Sequence, residues 1–431
     1  MDYQEAIDYL YSRLPMFSRI GAAAYKADLG NTQALCEILD NPQNKFKSIH
    51  VGGTNGKGSV SHMLAAVFQT AGYKTGLYTS PHLRDFRERI KIDGRMIDDG
   101  FVTEFVDQMQ MAIVDIQPSF FELTVAMAFS FFAEQKVDVA VVEVGLGGRL
   151  DSTNIIRPEL SVITNIGYDH MDLLGDTLEK IAFEKAGIIK PGIPVVVGEY
   201  DSRTAHIFEE RANLARTAVS FADRNRYVSG WSVDHTELVA EITSIHNNEK
   251  NYYHLDLTGI YQNKNLVTVL EAASILRTSG WNIQEKQCRK ALREVKRLTG
   301  LHGRWEIIAT NPAIVLDVAH NEDGIKQISK QIEITDHEEL HIVFGMVKDK
   351  DFQKILSLLP KLAQYYFTKA QIPRALAEED LAAAAASLGI RGNHYPDVNG
   401  ALQAAVSAAS KKDLIVVCGS VFVVGEVVLP S

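Results

Sequence analysis

Residues 50–59 read His-Val-Gly-Gly-Thr-Asn-Gly-Lys-Gly-Ser. A short apolar stretch (46–51) precedes them, and beyond Ser59 apolar residues recur at helical spacing, so the pattern predicts a strand, a glycine-rich turn and a helix. Such a turn aims backbone N–H groups and a helix N-terminus at one point, where a polyphosphate can bind beside the cation of Lys57. The stretch departs from the usual P-loop pattern, because Val51 replaces the first glycine and Gly58 separates Lys57 from Ser59.

The composition indicates a globular protein that is not membrane-embedded. The 431 residues are 46% hydrophobic and 23% charged, which predicts two or three domains. A net charge of −10 argues against nucleic acid or an anionic membrane as the main partner. The three cysteines are far apart, so neither a disulfide framework nor a paired-cysteine zinc site is expected. With no signal-peptide layout and no apolar run that could span a bilayer, a cytoplasmic location is expected.

Short apolar strands alternate with longer helical patterns over most of the chain, which is typical of a parallel α/β sheet. Residues 219–257 differ, and their short alternating stretches predict a small antiparallel patch. A linker at 299–305 divides a larger domain, 1–298, from a smaller α/β domain, 299–431. The predicted strands are Ser48–Val51, Lys74–Tyr78, Val137–Val144, Leu160–Thr164, Pro194–Gly198, Ala313–Asp317, His341–Phe344, Tyr365–Thr368 and Asp413–Cys418.

Candidate metal ligands stand at the ends of these strands, where open α/β sheets build their sites. Ser80 follows one strand, Glu143 lies within an apolar strand, and Asp169 and His170 follow another. Oxygen ligands of this kind suit Mg²⁺. Each residue alone has a simpler interpretation, since Ser80 could cap a turn, Glu143 could pair with Arg149, and His170 could be a structural histidine.

Three further residues have polar or charged side chains that could act chemically. Lys185 lies on a helix predicted from a capping-box-like start at Asp176 to about Gly187, and helix propensity alone places this lysine at the surface. In the smaller domain, Arg304 could hold a phosphate bidentately, and Asp317 could accept hydrogen bonds from ribose hydroxyls or an amine. Either could equally form an ordinary salt bridge near the linker.

Taken together, these motifs resemble the folylpolyglutamate synthase/dihydrofolate synthase family of the Mur ligase superfamily. The resemblance implies an α/β fold with a Mur-ligase-like P-loop domain, which has a parallel sheet and a small antiparallel patch, and a C-terminal Rossmann-like α/β domain. The motifs that carry it are Gly53–Ser59, Tyr78-Thr-Ser-Pro-His-Leu83, Glu143-Val-Gly-Leu-Gly-Gly-Arg-Leu-Asp-Ser-Thr-Asn154, Asp169-His170, Glu184-Lys-Ala-Gly-Ile188, Gly303-Arg-Trp305 and Asp317-Val-Ala-His-Asn321.

The resemblance also implies an activity. A ligase of this family would use ATP and Mg²⁺, with two ions expected, to join L-glutamate to dihydropteroate or to the glutamyl tail of a reduced folate. The γ-phosphate would pass to the substrate carboxylate, and the amine of glutamate would attack the acyl phosphate. The motifs leave open whether one or both activities are present, and we favour both; a monomer is expected.

Roles are carried over residue by residue on the same resemblance. Lys57, Lys185 and His170 would be catalytic, with Lys185 carbamylated; Ser80 and Glu143 would hold one Mg²⁺ and His170 a second. The remaining contacts would be Thr54, Asn55, Gly56, Lys57, Gly58, Ser59, Asn265, Arg304 and Asp317 for ATP, Ser119, Phe120, Phe121, Glu122, Leu150, Asp151 and Ser152 for the pterin, and His320 and Ser420 for glutamate.

Two departures and two alternatives accompany the resemblance. His302 and Glu322 stand where relatives usually have proline, which could change local loop shape. Another Mur-type ligase, acting on a UDP-linked muramyl peptide, would need a domain before the phosphate loop, and only about 50 residues precede it. A nucleotide-dependent switch without chemistry would not need Arg304 or Asp317. Phe120 or Phe121 could likewise serve only to anchor the following helix.

Overall fold

The computed structural model describes residues 1–21, 26, 28–348 and 351–428. The chain divides into two compact units. The large unit comprises Met1–Phe17, Ala22–Asp256 and Gln262–Leu301, and the small unit comprises Ser18–Gly21, Leu257–Tyr261 and His302–Ser431. Among the described residues, no helix combines the length and apolar character needed to cross a membrane.

The first 301 residues contain both helices and strands. The helices are α1 Tyr3–Arg13, α2 Phe17–Ile20, α3 Gly30–Ile38, α4 Lys57–Thr70, α5 Asp99–Ile116, α6 Phe120–Glu134, α7 Met171–Leu174, α8 Leu178–Ala186, α9 Ala205–Leu214, α10 Gln262–Thr278, α11 Glu285–Leu292 and α12 Val295–Thr299. The strands are β1 Lys47–Gly52, β2 Thr75–Tyr78, β3 Ile90–Ile92, β4 Arg95–Met96, β5 Val139–Glu143, β6 Leu160–Ile163, β7 Val195–Val197, β8 Val219–Phe221, β9 Arg226–Val233, β10 Leu238–Ser244 and β11 Lys250–Leu255.

Within the described residues the main sheet of the large unit has eight strands in the order β4-β3-β2-β5-β1-β6-β7-β8. All neighbours from β2 to β8 pair in parallel, whereas β3 is antiparallel to both β2 and β4. The strand β1 lies between β5 and β6, with Val51 opposite both Glu143 and Val162. Because parallel strands end at the same edge, the segments that follow β1, β5 and β6 emerge together there.

The predicted antiparallel patch is present as a three-stranded sheet, β11-β10-β9. Its predicted beginning at Val219 is wrong, because β8 pairs in parallel with β7 and extends the main sheet. Beyond this sheet, the segment before the linker forms two short helices, α11 and α12, and not one continuous helix. Asp256 accepts a hydrogen bond from the backbone N–H of Lys296 at 2.8 Å, which stabilises a separate beginning for α12.

The helix after the phosphate loop is buried on all sides. Residues 58–68 of α4 are buried, and Val60, Met63 and Leu64 have no exposed surface. This helix contacts β1, β2 and β5 on the sheet and also α10, α11 and α12. A helix covered on both sides has apolar residues all around it, and this burial holds its N-terminus rigidly at the carboxyl end of β1.

The small unit is a second α/β layer structure. Its strands follow the order β12-β13-β17-β14-β15-β16, with only the β12–β13 pair antiparallel among the described residues. The bounds are β12 Glu306–Thr310, β13 Ala313–Leu316, α13 Glu322–Ile334, β14 Leu340–Phe344, α14 Phe352–Ser357, β15 Gln364–Phe367, α15 Glu378–Ser387, β16 Gly392–His394, α16 Val398–Ala408, β17 Leu414–Cys418 and α17 Val421–Gly425. The α/β fold class predicted for both parts of the chain is thus confirmed.

Lowering the pH should destabilise the large unit through His50 in β1. Burial, together with the charge of Lys190, lowers the pKa of His50 to about 3. An unfolded histidine titrates near about 6.5, so below that pH the unfolded state binds a proton that the folded state does not. The free energy of unfolding should therefore fall by about 1.4 kcal/mol per pH unit from 6.5 down to the folded pKa.

Urea unfolding at pH 7 and pH 5 measures this effect. His50→Gln has a side chain that does not titrate. The free energy of unfolding of this variant should therefore fall less between pH 7 and pH 5 than that of the wild-type protein. Equal losses of stability in the variant and in the wild-type protein would contradict the assignment.

Candidate active site

The turn after β1 requires glycine at two positions. Gly53 has φ +138° and Gly56 has φ +84°, a backbone region that side chains rarely adopt. A Cβ atom on Gly53 would lie 1.9 Å from Oγ1 of Thr164, and one on Gly56 would lie 2.2 Å from Oδ1 of Asn265. The turn thus packs directly against the residue after β6 and against α10.

The residues after β6 hold the turn in place. Asn165 accepts the backbone N–H of Thr54 on its carbonyl at 3.0 Å and that of Asn55 on Oδ1 at 2.9 Å. Thr164 donates its hydroxyl to the carbonyl of Asn55 at 2.5 Å. These two N–H groups are therefore engaged within the protein, whereas the N–H groups at the start of a helix have no partner inside the helix and can serve as donors to an anion.

Two lysines meet at the carbonyl of Gly53. Lys57 Nζ donates to it at 3.2 Å and to the carbonyl of Thr54 at 3.1 Å. Lys185 Nζ, from α8, donates to the same Gly53 oxygen at 2.8 Å. Lys185 is only 4% exposed, so the surface position predicted from helix propensity is wrong.

The position of α8 explains this burial. The helix begins after the N-cap Thr177, one residue later than the predicted cap Asp176. Gly148 lies against its last turn so closely that a Cβ atom there would be 3.0 Å from the carbonyl oxygen of Glu184 and 3.1 Å from that of Lys185. Glycine at this position lets the last turn of the helix pack closely against the loop after β5.

The environment of Lys185 favours the neutral amine. Burial lowers the pKa of Lys185 to about 7, and the charge of Lys57 lowers it further, whereas Asp169 and Asp151 raise it. An amine without its proton can attack carbon dioxide, and an ammonium group cannot. The site therefore suits the carbamylated lysine that the family resemblance implies.

Ser80 and Glu143 come together at the same sheet edge. Glu143 ends β5, is 4% exposed, and accepts the backbone N–H of Ser80 on Oε2 at 3.3 Å. The alternative that Glu143 pairs with Arg149 is wrong, because Arg149 forms its ion pair with Glu184 at 2.9 Å. A buried carboxylate whose neighbour in space is a serine provides the kind of oxygen ligands that fit Mg²⁺.

His170 lies in the segment after β6. Its backbone is left-handed (φ +50°), its N–H donates to Oδ1 of Asp169 at 2.9 Å, and its ring stands edge-on to Phe17 at 5.6 Å. Asp169 acts electrostatically on Lys185, which indicates that this segment lies on the lysine side of the site.

Ser119 and Glu122 form the capping box of α6. Glu122 N donates to Ser119 Oγ at 3.2 Å, and Ser119 N donates to Glu122 Oε2 at 2.6 Å. Asn31 also donates to Oε2, at 3.2 Å. Oε1 of Glu122 is buried without a hydrogen-bond partner among the described residues, and it is the atom of this pair that a ligand could use.

The two phenylalanines of α6 differ in their surroundings. Phe120 is 3% exposed and packs against Tyr11 at 5.6 Å and Phe86 at 5.8 Å, so it belongs to the core. Phe121 is only partly buried and lies over Gly145, where a Cβ atom would come within 2.4 Å of its Cζ. Of the two rings, Phe121 is the one with surface left for stacking on a heterocycle.

Comparisons with known proteins match this architecture. Residues 51–273 match the Mur ligase middle domain, and residues 303–421 match the Mur ligase glutamate ligase domain. The chain is 32% identical to the dihydrofolate synthase/folylpolyglutamate synthase of Bacillus subtilis, over 99% of this chain and 98% of the relative. The chain belongs to the dihydrofolate synthase/folylpolyglutamate synthase family. It is an ATP-dependent, amide-forming ligase that uses a divalent metal ion.

Solved structures of the family are similar over nearly the whole chain. Escherichia coli FolC in complex with DHPP and ADP has a TM-score of 0.83 and 27% identity, and the match covers 99% of this chain and 96% of that chain. A bifunctional folylpolyglutamate synthase/dihydrofolate synthase with Mn, AMPPNP and L-glutamate bound has the same TM-score and identity, covering 99% and 97%.

In the small unit, the carboxylate of Asp317 accepts three hydrogen bonds from the segments around Arg304. Its Oδ2 accepts from the hydroxyl of Tyr261 at 2.7 Å and from Trp305 N at 2.8 Å, while Oδ1 accepts from Ala319 N at 2.9 Å. Burial raises the pKa of Asp317, and the hydrogen bond from Tyr261 and the charge of Arg304 oppose that shift. Oδ1 has one such donor, so it has more remaining capacity for a ligand hydroxyl than Oδ2.

His320 and Ser420 lie in neighbouring turns. Nδ1 of His320 donates to the carbonyl of Val318 at 2.9 Å, and Gly419 N donates to the carbonyl of Ala319 at 3.1 Å. Ser420 is 4% exposed and caps α17 by accepting from the backbone of residue 423. The two predicted glutamate contacts therefore stand at the ends of adjacent strands, β13 and β17.

The two departures from the family pattern are accommodated by polar contacts. His302 Nδ1 lies 2.7 Å from Glu306 Oε1, and Glu306 also accepts the N–H of Gly303 at 2.7 Å. Glu322 pairs with Lys326 and Lys354, each at 2.6 Å.

Sequence reasoning missed several supporting residues. Asn165 is one of them, although its place just after β6, the strand next to β1, was a signal that it would meet the loop. Gln262 donates to Ser59 Oγ at 3.1 Å and accepts from Asn265 at 2.7 Å, which joins α10 to the start of α4. No local pattern predicts that contact, because the residues it joins are about two hundred positions apart.

Proposed function

We propose that this chain joins L-glutamate both to dihydropteroate and to the glutamyl tail of reduced folates. The observation that carries the proposal is the meeting of Lys57 and Lys185 on the carbonyl of Gly53. It combines a phosphate loop with a buried amine suited to carbamylation. The relatives solved with DHPP and ADP, and with Mn, AMPPNP and L-glutamate, support these substrates.

The reaction has two balanced steps. A carboxylate oxygen of the pteroate or folate attacks the γ-phosphorus of ATP, the bond to the β-phosphate oxygen breaks, and ADP leaves. The nitrogen of glutamate then attacks the acyl carbon, and the tetrahedral intermediate expels inorganic phosphate as the amide forms and the amine loses a proton. Positioning and neutralisation of charge account for most catalysis of this kind.

The candidate site residues would divide this work among them. The first turn of α4, with Gly56, Gly58 and Ser59, would present N–H donors to the phosphates, while Thr54 and Asn55 would support the turn. Lys57 Nζ would give up its hydrogen bonds to the carbonyls of Gly53 and Thr54 and donate to the oxygens of the transferred phosphoryl group. Asn265, Arg304 and Asp317 are proposed to contact the rest of the nucleotide.

Ser80 and Glu143 would hold one Mg²⁺ and His170 a second, and Mg²⁺ when bound neutralises charge on the transferred phosphoryl group. Lys185, as a carbamate, would supply an anionic oxygen pair on the same side as Asp169. Phe121, with Ser119, Glu122 and residues 150–152, would receive the pterin, and His320 and Ser420 the glutamate. Phe120 would support the pterin wall from within the core.

The remaining predictions concern organisation. We propose that the ATP-binding part is a domain of residues 1–298 and that residues 299–431 form the glutamate-ligase domain. We further propose that the protein acts as a monomer in the cytoplasm.

A coupled assay of ADP formation tests the function. Full-length protein with ATP, Mg²⁺ and L-glutamate should form ADP and a product one glutamate heavier with dihydropteroate, and also with tetrahydrofolate monoglutamate. Turnover with only one of these two substrates would show that the activity proposed for the other substrate is wrong. Absence of turnover with any pteroate or folate, or turnover with a UDP-linked muramyl peptide instead, would overturn it.

Glu143→Gln should lower kcat/KM about a hundredfold or more and raise the Mg²⁺ concentration needed for half-maximal activity, because a neutral amide is a poorer metal ligand. Removing metal with EDTA should abolish wild-type activity, and Mg²⁺ or Mn²⁺ should restore it. Glu179→Gln, on the exposed side of α8, is the matched control and should change neither quantity. An unchanged Mg²⁺ requirement in Glu143→Gln would exclude Glu143 as a ligand.

A further inference from the structure

A buried chain of hydrogen bonds connects β1 with the loop of residues 145–152. Nε2 of His50 lies 2.8 Å from Oγ1 of Thr153, and Oγ1 of Thr153 lies 2.5 Å from Oδ1 of Asp151. His50 and Thr153 have no exposed surface, and Asp151 is 3% exposed. The path therefore runs through the interior and is closed to solvent along its length.

The direction of each hydrogen bond follows from the chemistry of the groups. Oδ2 of Asp151 accepts the backbone N–H of Leu146 at 2.8 Å, and Oδ1, the oxygen that faces the hydroxyl of Thr153, accepts the backbone N–H of Thr153 at 3.0 Å, so Oδ1 acts as an acceptor. The single hydroxyl proton of Thr153 must then point to Asp151. Its oxygen can only accept from the ring, so His50 carries its proton on Nε2.

The other ring nitrogen of His50 indicates that this arrangement is not chosen for stability alone. Nδ1 is buried and has no hydrogen-bond partner among the described residues. A buried acceptor without a partner costs free energy that an apolar side chain of similar size would not cost. The hydrogen bond from Nε2 to Thr153 is therefore the polar contact that this side chain makes among the described residues.

Asp151 connects the hydroxyl of Thr153 with the loop of residues 145–152, which forms part of the proposed pterin wall. It accepts the backbone N–H of Leu146, next to Gly145 at the start of the loop, and that of Thr153 at its end. Gly145 lies directly against the ring of Phe121. The position of the glycine turn relative to that ring is thus set by the Asp151 carboxylate.

We propose that His50 is a positioning residue for the pterin end of the substrate, acting through Thr153 and Asp151 on the wall formed by residues 145–152 and Phe121. The inference rests on the proposed function, in which this wall receives the pterin. His50 touches neither substrate nor nucleotide; it fixes the hydroxyl that orients the carboxylate.

Two substitutions of His50 separate this role from a merely structural one. Glutamine can place an amide N–H where Nε2–H stands, whereas leucine fills space without donating. His50→Leu should raise the KM for dihydropteroate about tenfold, the scale of one lost hydrogen bond, with the KM for ATP and for glutamate within about twofold of wild type. His50→Gln should restore the dihydropteroate KM to near the wild-type value.

Thr153→Val gives a second route to the same answer if His50→Leu folds poorly. It removes the hydroxyl and should raise the same KM, and Thr153→Ser should not. The double variant His50→Leu/Thr153→Val should be no worse than either single variant, because both break one chain. A structural role would instead lower thermal stability and raise the ATP and dihydropteroate KM values together, since β1 leads directly into the phosphate loop.

The wild-type controls keep the two proposals apart. If wild-type protein turns over dihydropteroate and these variants keep its KM, the positioning role is wrong and the function stands. If wild-type protein neither turns over nor binds any pteroate in a fluorescence titration, both are wrong. Parallel rises in the KM values for ATP and dihydropteroate in His50→Gln and His50→Leu alike would also overturn the positioning role.

Discussion

Replacing Gly53 with alanine should reduce ATP-dependent turnover at least a hundredfold, on the scale of losing a donor that stabilises transition-state charge. The added Cβ atom would lie 1.9 Å from Oγ1 of Thr164 and 2.9 Å from its backbone nitrogen, so the backbone must move. The φ of +138° is also unfavourable for alanine. Movement of the turn would displace the Gly53 carbonyl, on which Lys57 and Lys185 both depend.

Gly72→Ala is the matched control. Gly72 lies just after α4, the helix that the loop containing Gly53 precedes. It has φ +93°, and no atom lies within 4 Å of the added Cβ atom. It should cost about 1–3 kcal/mol of stability from backbone strain, with kcat and the KM for ATP unchanged. For both variants, isothermal titration calorimetry measures the affinity for ADP, and steady-state kinetics measure kcat and the KM for ATP. Wild-type ADP affinity in Gly53→Ala would show that the turn tolerates the displacement and would contradict the role given to it.

Replacing Lys185 with alanine should reduce kcat by about a thousandfold or more, since it removes a charged group from a water-poor site where charge is worth several kcal/mol. The residue is proposed to act as a carbamate, formed when its neutral amine adds carbon dioxide and releases a proton. Short carboxylates such as acetate should therefore restore part of the activity of Lys185→Ala, whereas methylamine should not. Rescue by the amine instead would show that the cation is the active form.

Spectroscopy tests the modification directly. With ¹³C-bicarbonate, the wild-type protein should show a carbamate carbon resonance that grows as the pH rises through about 7, the pKa to which burial lowers Lys185. Lys185→Ala should lack it. Lys180→Ala is the control on the same helix, because Lys180 is exposed and its ion pair with Asp176 lies at the surface, where solvent screens it. A wild-type spectrum without the resonance would refute the carbamate.

The strands, the phosphate loop and the family could be predicted because each depends on short-range pattern. The stretch 46–70 shows its strand, turn and helix through apolar spacing and glycine placement alone. Glu143 stood out because a carboxylate within an apolar strand is costly unless it has a role. These signals lie within ten to twenty residues, which is the range over which propensity and periodicity act.

Other features depended on contacts between residues far apart in the chain. Helix propensity alone places Lys185 at the surface, whereas the structure buries it on α8, which packs closely against Gly148. The helical pattern itself gives no sign of that contact. In the same way, only packing decides that Phe120 joins the core and Phe121 lies beside Gly145.

The sequence by itself determined the α/β class, the phosphate loop and the ligase family, because those follow from local periodicity and from motifs with a fixed order. The tertiary structure alone decided which backbone N–H groups of the turn bond to Asn165, why burial lowers the pKa of Lys185, and how His50 reaches Asp151. Each of these depends on side chains that meet across a sheet edge after about a hundred residues of intervening chain. Burial then changes their pKa values and hydrogen bonding, and no local pattern encodes burial of that kind.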